Sequence, residues 1–241
     1  MIDSQSVISH RLVDEYKSVL SEAENARMLS FKSTQRQQQY LIARASLRFI
    51  LSSYLPSISP QAVNLNINRF GKPLLGDNDN KLHFNVSHSQ DKILIGIASD
   101  RRIGVDIEHI NAKRNVERIA EHYFHPREWH CDALPSVDSV CYFYKLWTLK
   151  EAFVKAEGKG RVVIDSSIYF DLTYTDKPRL CHSDSQKVIS QWAFAHKMLL
   201  QDYSLSVAKE VASEDDAIEI SLTEVVPQHF TSHEKSWSLK I

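Results

Sequence analysis

The sequence predicts an α+β fold, and three observations predict it. Apolar residues recur at helical spacing over residues 12–54. Period-two alternation then dominates residues 63–107, and the same succession of helix followed by strand returns after residue 110. Runs of helices followed by runs of strands argue for segregated elements rather than a doubly wound parallel sheet. The repetition also suggests two similar halves joined near residues 108–112, with an N-terminal half over 1–108 and a C-terminal half over 109–241.

Each element follows from its local pattern. Leu12, Tyr16, Val19, Leu20, Ala23 and Ala26 form one 3.6-residue stripe and predict the first helix. Tyr40, Ala43, Leu47, Ile50, Leu51 and Tyr54 predict the second, with Ser33 or Thr34 as its cap and Pro56 and Pro60 ending it. Val63, Leu65 and Ile67 alternate with polar residues, as in a half-buried strand. Gly71-Lys72-Pro73 signals a turn. Leu82, Phe84 and Val86 share one face of the next strand, with His83, Asn85 and Ser87 on the other. The KILIGIA run over 92–98 reads as a buried strand, and Ile103, Val105 and Ile107 then alternate with Gly104, Asp106 and Glu108. Helical spacing returns at Val116, Ile119, Ala120 and Tyr123, and again from about Val137 to Glu157. Pro126 suits the first turn of a short helix between them. Gly158 stands where a helix ends. Strands follow around Trp192 and Phe194, over Tyr203, Leu205 and Val207, and over Ile218, Ile220 and Leu222. Glu214-Asp215-Asp216 reads as a solvated turn.

Composition excludes several classes. Of 241 residues, 43% are hydrophobic and 24% charged, an ordinary globular balance. The formal charge of −1 gives no bulk attraction to nucleic acid or to an anionic membrane. No apolar run is long enough for a membrane-spanning helix, and the N-terminal residues lack the pattern of a signal peptide. Cys131, Cys141 and Cys181 show no CxxC pairing, which argues against a disulfide framework or zinc knuckle and suits a reducing cytoplasm.

Asp106 and Glu108 are two apart on a strand, so they share a face roughly 7 Å apart. Two neighbouring carboxylates repel unless a cation lies between them. A hard divalent cation such as Mg²⁺ is one resolution, and a polar strand edge is the other. Glu151 and Lys155 stand at i and i+4 of a helix, either as a surface ion pair or as two groups aimed at one ligand. Asn85-Val86-Ser87-His88-Ser89 ends a strand. Neighbouring residues there face opposite ways, so Ser87 and His88 form no attacking pair, and no GxSxG elbow occurs. Donors to a phosphate, or a polar strand end, are the remaining readings. GxxxxGK[ST], GxGxxG and HExxH are all absent.

Taken in order, Gly71-Lys72-Pro73, Phe84-Asn85-Val86-Ser87-His88-Ser89, Gly104-Val105-Asp106-Ile107-Glu108 and the stretch from Trp147 through Lys150-Glu151-Ala152 to Lys155 resemble the 4′-phosphopantetheinyl transferases of the long, single-chain type. Tyr142-Phe143-Tyr144-Lys145-Leu146 also looks family-like. The resemblance implies two similar α+β halves about a pseudo-twofold axis, with coenzyme A in the cleft between them. It implies transfer of phosphopantetheine to a serine of an apo acyl or peptidyl carrier protein, with release of adenosine 3′,5′-bisphosphate.

On that resemblance Asp106, Glu108 and Glu151 would hold Mg²⁺, and Glu151 would take the serine proton, with Glu128 as a second candidate. Lys155 would neutralise the departing phosphate, and Lys150 would support the pyrophosphate or pair with a carboxylate. Lys72 would lie near the adenine. Ser87, His88 and Arg44 would meet the 3′-phosphate, with Arg27 a further candidate. Glu24 and Tyr40 fall where some relatives have a lysine and a threonine. Lys113, Arg114 and Arg118 would face an acidic carrier, with Tyr123 and Phe124 nearby. The expected protein is a cytoplasmic monomer that binds neither nucleic acid nor membrane. The alternatives are a catalytically inactive relative that binds coenzyme A or a carrier, and a Mg²⁺-dependent phosphohydrolase.

Overall fold

The computed structural model describes residues 1–4, 10–76, 81–129, 138–159, 167–173, 177–213 and 219–223, and the backbone of 237–240. In chain order its elements are β1 (Ile2–Asp3), α1 (His10–Val19), α2 (Glu22–Leu29), α3 (Thr34–Tyr54), β2 (Leu65–Ile67), β3 (Pro73–Leu75), β4 (Leu82–Ser89), β5 (Lys92–Ser99) and β6 (Ile103–His109). There follow α4 (Val116–Tyr123), α5 (Ser139–Glu157), β7 (Ile168–Asp171), β8 (Arg179–His182), β9 (Trp192–Leu199), β10 (Tyr203–Glu210), β11 (Glu219–Leu222) and β12 (Trp237–Lys240). Among the described residues no helix is long and apolar enough to cross a membrane. Cys141 and Cys181 are free thiols. His130, Cys131, Val137, Gly160, Glu214, Asp215, Asp216 and Ile218 lie outside the described residues.

Local chemistry explains where the elements begin and end. The single stripe expected over Leu12–Ala26 is divided in two by Ser21. Its Oγ accepts from Glu24 N at 3.2 Å, and its own N–H donates to Glu24 Oε2 at 3.0 Å, a reciprocal capping box that starts α2. The same Glu24 carboxylate accepts from buried Arg48 Nε at 2.7 Å and ties α2 to α3. Ser33 caps α3. Asp138 caps α5, and Gly158 ends it in the left-handed conformation at φ 69°. Pro126 opens a turn, not a helix: Glu128 N and Trp129 N both bond back to His125 O. In the β2–β3 hairpin, Val63 is buried just before the strand, while Ile67 is exposed at its end.

The strands form two three-stranded antiparallel sheets, ordered β1-β5-β4 and β6-β10-β9, with β2-β3 and β7-β8 as separate hairpins and β11 paired antiparallel with β12. The element order repeats: strand, helices, small hairpin, then a long hairpin whose second strand pairs with the first strand of the unit. The second unit begins at β6. That strand runs across the junction expected after residue 108 and pairs with β10 throughout, Asp106 opposite Ser206. Ile103, Val105 and Ile107 pack with Leu94, Ala98, Leu205 and Val207, on the side of β6 away from α5. Phe143, Leu146, Leu149 and Ala152 of α5 pack with Phe170, Phe194 and Ala208.

Under α5 the second sheet carries a polar row. Thr148 Oγ1 lies 2.7 Å from Ser206 Oγ and 3.1 Å from Ser204 Oγ, and His196 Nε2 lies 3.0 Å from Ser204 Oγ. Burial, and then the charge of Lys145, lower the His196 pKa to about 4 from 6.5. The unfolded chain therefore takes up this proton well before the folded one does, and stability falls as pH drops from 6.5 towards 4. Urea unfolding of the wild type should show about 2 kcal/mol lost through this ring between pH 7 and pH 5. The His196→Gln variant should lack that component of the pH dependence.

Candidate active site

The site lies where β4 of one sheet runs beside β6 of the other. No backbone ladder joins them. Side chains of β4 do so instead: Asn85 Oδ1 accepts from Val105 N at 2.9 Å, Ser87 Oγ from Ile107 N at 3.3 Å and Ser89 Oγ from His109 N at 3.0 Å. Asn85 and Ser87, read from sequence as the polar face, are thus buried because they close this seam. The hydroxyls continue onto the carboxylates of β6. Ser87 Oγ donates to Asp106 Oδ1 at 2.8 Å, and Ser89 Oγ to Glu108 Oε2 at 2.9 Å.

Helix α5 closes the site from above. It can do so because residue 104 is glycine: a Cβ there would stand 2.0 Å from Ala152 O and 2.4 Å from Ala156 N, both backbone atoms that cannot swing aside. At this approach Lys155 Nζ reaches Asp106 Oδ1 at 2.6 Å and Ser87 Oγ at 2.8 Å. Glu151, half-buried, stands one turn earlier on α5. Asp106 is 3% exposed. Burial pushes its carboxyl pKa up, against Lys155 and Ser87, which pull it down. Glu108 is raised by burial and then by the charge of Asp106, with Ser89 opposing.

Asp106 Oδ2 is buried and has no hydrogen-bond partner. Leaving such an acceptor unsatisfied costs about 1–3 kcal/mol, more for a charged group. Among the described residues no three Asp, Glu, His or Cys side chains converge closely enough to enclose an ion. An orphan carboxylate oxygen beside a second carboxylate on the same strand face nevertheless suits a hard cation with oxygen ligands.

The other expected site residues are placed as follows. Lys150 does not reach this cluster. It is 3% exposed and pairs at 2.8 Å with Glu128, itself 1% exposed. Glu128 also accepts from His125 N at 2.9 Å and Phe170 N at 2.6 Å, so its oxygens are committed and it is not available as a base. The single Ser87 proton goes to Asp106, which leaves that hydroxyl nothing to donate to a phosphate. Lys72 Nζ donates to Lys155 O at 2.5 Å and to Ala156 O at 3.3 Å, capping the C-terminus of α5 beside the site. His88 is exposed near the end of β4, on the face that carries Leu82, Phe84 and Val86 under α3, and Arg44 lies over the Tyr40 ring at 5.4 Å. Partial burial and then the Lys155 and Arg36 charges lower the His88 pKa.

Arg36 was not among the residues singled out from the sequence. It shares a face of α3 with Tyr40 and Arg44 at i, i+4 and i+8, a spacing legible in the sequence. Arg27 is exposed and lies over Phe31. Lys113 and Arg118 are exposed, whereas Arg114 lies over Phe143, Tyr144 and Trp147, and Phe124 is buried in the core with only Tyr123 outside.

Residues 102–208, which run from β6 through β10, match the model of the 4′-phosphopantetheinyl transferase superfamily. The chain is 33% identical over 171 residues to the 4′-phosphopantetheinyl transferase HetI of Nostoc sp., a match covering 70% of this chain and 71% of HetI. It is 36% identical over 110 residues to the 4′-phosphopantetheinyl transferase gsp of Aneurinibacillus migulanus, covering 45% of this chain and 44% of that one. With the 4′-phosphopantetheinyl transferase Sfp of Bacillus subtilis it shares 30% identity over 154 residues, covering 58% of this chain and 66% of Sfp. The carboxylates of β6 and the face of α5 above them fall inside the matched region, and the chain belongs to the 4′-phosphopantetheinyl transferase superfamily.

Proposed function

We propose that this chain transfers the 4′-phosphopantetheine group of coenzyme A to a serine of an apo acyl or peptidyl carrier protein, and releases adenosine 3′,5′-bisphosphate. The observation that carries the reading is the buried Asp106 carboxylate, with one oxygen held by Ser87 and Lys155 and the other without a partner. In the reaction the serine oxygen bonds to the β-phosphorus, and the bond from that phosphorus to the bridging oxygen breaks. Such displacements gain mainly from positioning and charge neutralisation.

Asp106, Glu108 and Glu151 are the residues that would hold Mg²⁺, which supplies charge neutralisation at the pyrophosphate oxygens. Glu151 takes the serine proton, and Lys155 moves from its ion pair to stabilise the departing phosphate. Arg44, with Arg36 and His88, offers cationic and hydrogen-bonding partners to the 3′-phosphate. Lys113 and Arg118 steer an acidic carrier towards the site. The chain acts as a monomer in the cytoplasm, with one site assembled from its two halves and with no nucleic-acid or membrane partner.

Intact mass of an apo carrier protein, after incubation with this protein, coenzyme A and Mg²⁺, tests the proposal. The expected result is a gain of one phosphopantetheine that disappears with EDTA or in the Glu151→Ala variant. No gain on carriers from several pathways, with coenzyme A binding intact, would instead indicate a non-catalytic binding protein.

A further inference from the structure

The seam holds a second serine with the same bonding pattern as Ser87, and no role in the transfer reading uses it. Ser89 Oγ accepts from His109 N at 3.0 Å and donates to Glu108 Oε2 at 2.9 Å. Two residues earlier Ser87 does the same between Ile107 N and Asp106 Oδ1. Both strands step by two, so each carboxylate of β6 receives one hydroxyl of β4 at matching height. In each case a backbone N–H holds the hydroxyl oxygen and a carboxylate takes its proton, and Ser87 Oγ accepts from Lys155 Nζ as well.

The two carboxylates differ in what else holds them. Asp106 has the Lys155 ammonium at 2.6 Å. No ion pair of Glu108 is found among the described residues, and its Oε2 hydrogen bond comes from Ser89. A glutamate has one more rotatable bond than an aspartate, so without that bond its carboxylate would sample several orientations.

We propose that Ser89 is a positioning residue: its hydroxyl, locked by His109 N–H, orients the Glu108 carboxylate for cation binding across the seam between the two halves. The inference rests on the metal reading of Asp106 and Glu108 given above. Groups that orient a ligand from behind typically contribute tenfold to a hundredfold in metal affinity.

Mn²⁺ binding to the full chain, followed by electron paramagnetic resonance of the free ion and without coenzyme A or carrier, tests it. Ser89→Ala should weaken Mn²⁺ binding roughly tenfold, and Ser89→Thr, which keeps the hydroxyl, should restore most of it. In a Glu108→Gln background, Ser89→Ala should produce no further loss. A purely structural role for Ser89 would lower thermal stability in both backgrounds and leave Mn²⁺ affinity unchanged, and that result would overturn the proposal. Equal weakening by Ser89→Ala with and without Glu108 would also overturn it. A wild-type chain that binds no Mn²⁺ would remove the metal reading itself, and this inference with it. Phosphopantetheine transfer by the wild type is scored separately, so failure of that reading and failure of this one are distinguishable.

Discussion

An Asp106→Asn variant is expected to transfer phosphopantetheine at least about a hundredfold more slowly than the wild type, with little loss of stability. The amide keeps the shape of the side chain and can still accept from Ser87. What it removes is the negative charge, and with it a strong oxygen ligand at the orphan Oδ2 position. Lys155 loses its ion-pair partner but is about a quarter exposed, so its ammonium can turn to water. Burying the Asp106 charge costs folding energy, since burial raises its pKa. A neutral isostere therefore has no reason to unfold the chain. The measurement is the initial rate of carrier mass gain, set beside the thermal midpoint. A variant that transfers at the wild-type rate would sink the assignment of this carboxylate to the chemistry.

The second large effect is one of stability. Glu128→Ala should cost about 3–5 kcal/mol, because it leaves the Lys150 ammonium buried without its counter-ion. It also strips the acceptor from His125 N and Phe170 N, and so loosens β7 and the turn before α5. For a chain of this size that corresponds to a fall of roughly 10 °C in the thermal midpoint. The paired replacement Lys150→Met with Glu128→Leu should recover much of the loss, since it removes both charges at once. Lys150 is held away from Asp106, so the doubly substituted protein, once folded, should retain transfer within a few fold. A large loss of transfer in a folded double variant would return Lys150 to the pyrophosphate.

The contrast between these two carboxylates bears on what the sequence could tell. Periodicity made α3, β4 and β6 legible, an unbroken apolar run β5, and the length of its apolar stretch α5, and with them the strand face of Asp106 and Glu108 and the i, i+4 spacing of Glu151 and Lys155. Gly158 was readable as a helix end because only a residue free of a Cβ takes φ 69° at no cost. The break between α1 and α2 was also in the sequence, as Ser21 followed by Glu24 three residues later. The apolar stripe ran straight through it and hid it. β1, β7 and β8 are two to four residues long, too short to show a period.

Two kinds of information were not local. Helix α5 is buried on most sides, so no hydrophobic face distinguished Lys150, which looks inward to Glu128, from Lys155, which reaches Asp106. The polar face of β4 was legible as polar but not as buried. A serine facing water and a serine closing a seam look alike until the second sheet is in place. The use of Lys72 as a cap on α5 has the same origin, because it joins residues more than eighty positions apart.

The side-chain rungs from β4 to β6 have a consequence for how this chain of two similar units can be divided. Each unit has its own sheet and helices, and the turn at residues 100–102 is an obvious place to cut. Severing and separating the pieces would bare three backbone N–H groups on β6 and leave Asn85, Ser87 and Ser89 facing nothing. Neither fragment would hold both the carboxylates and the hydroxyls bonded to them. The repeat is one of architecture only: the units are not interchangeable modules, and the cluster of carboxylates and hydroxyls is a property of their junction that neither inherits alone.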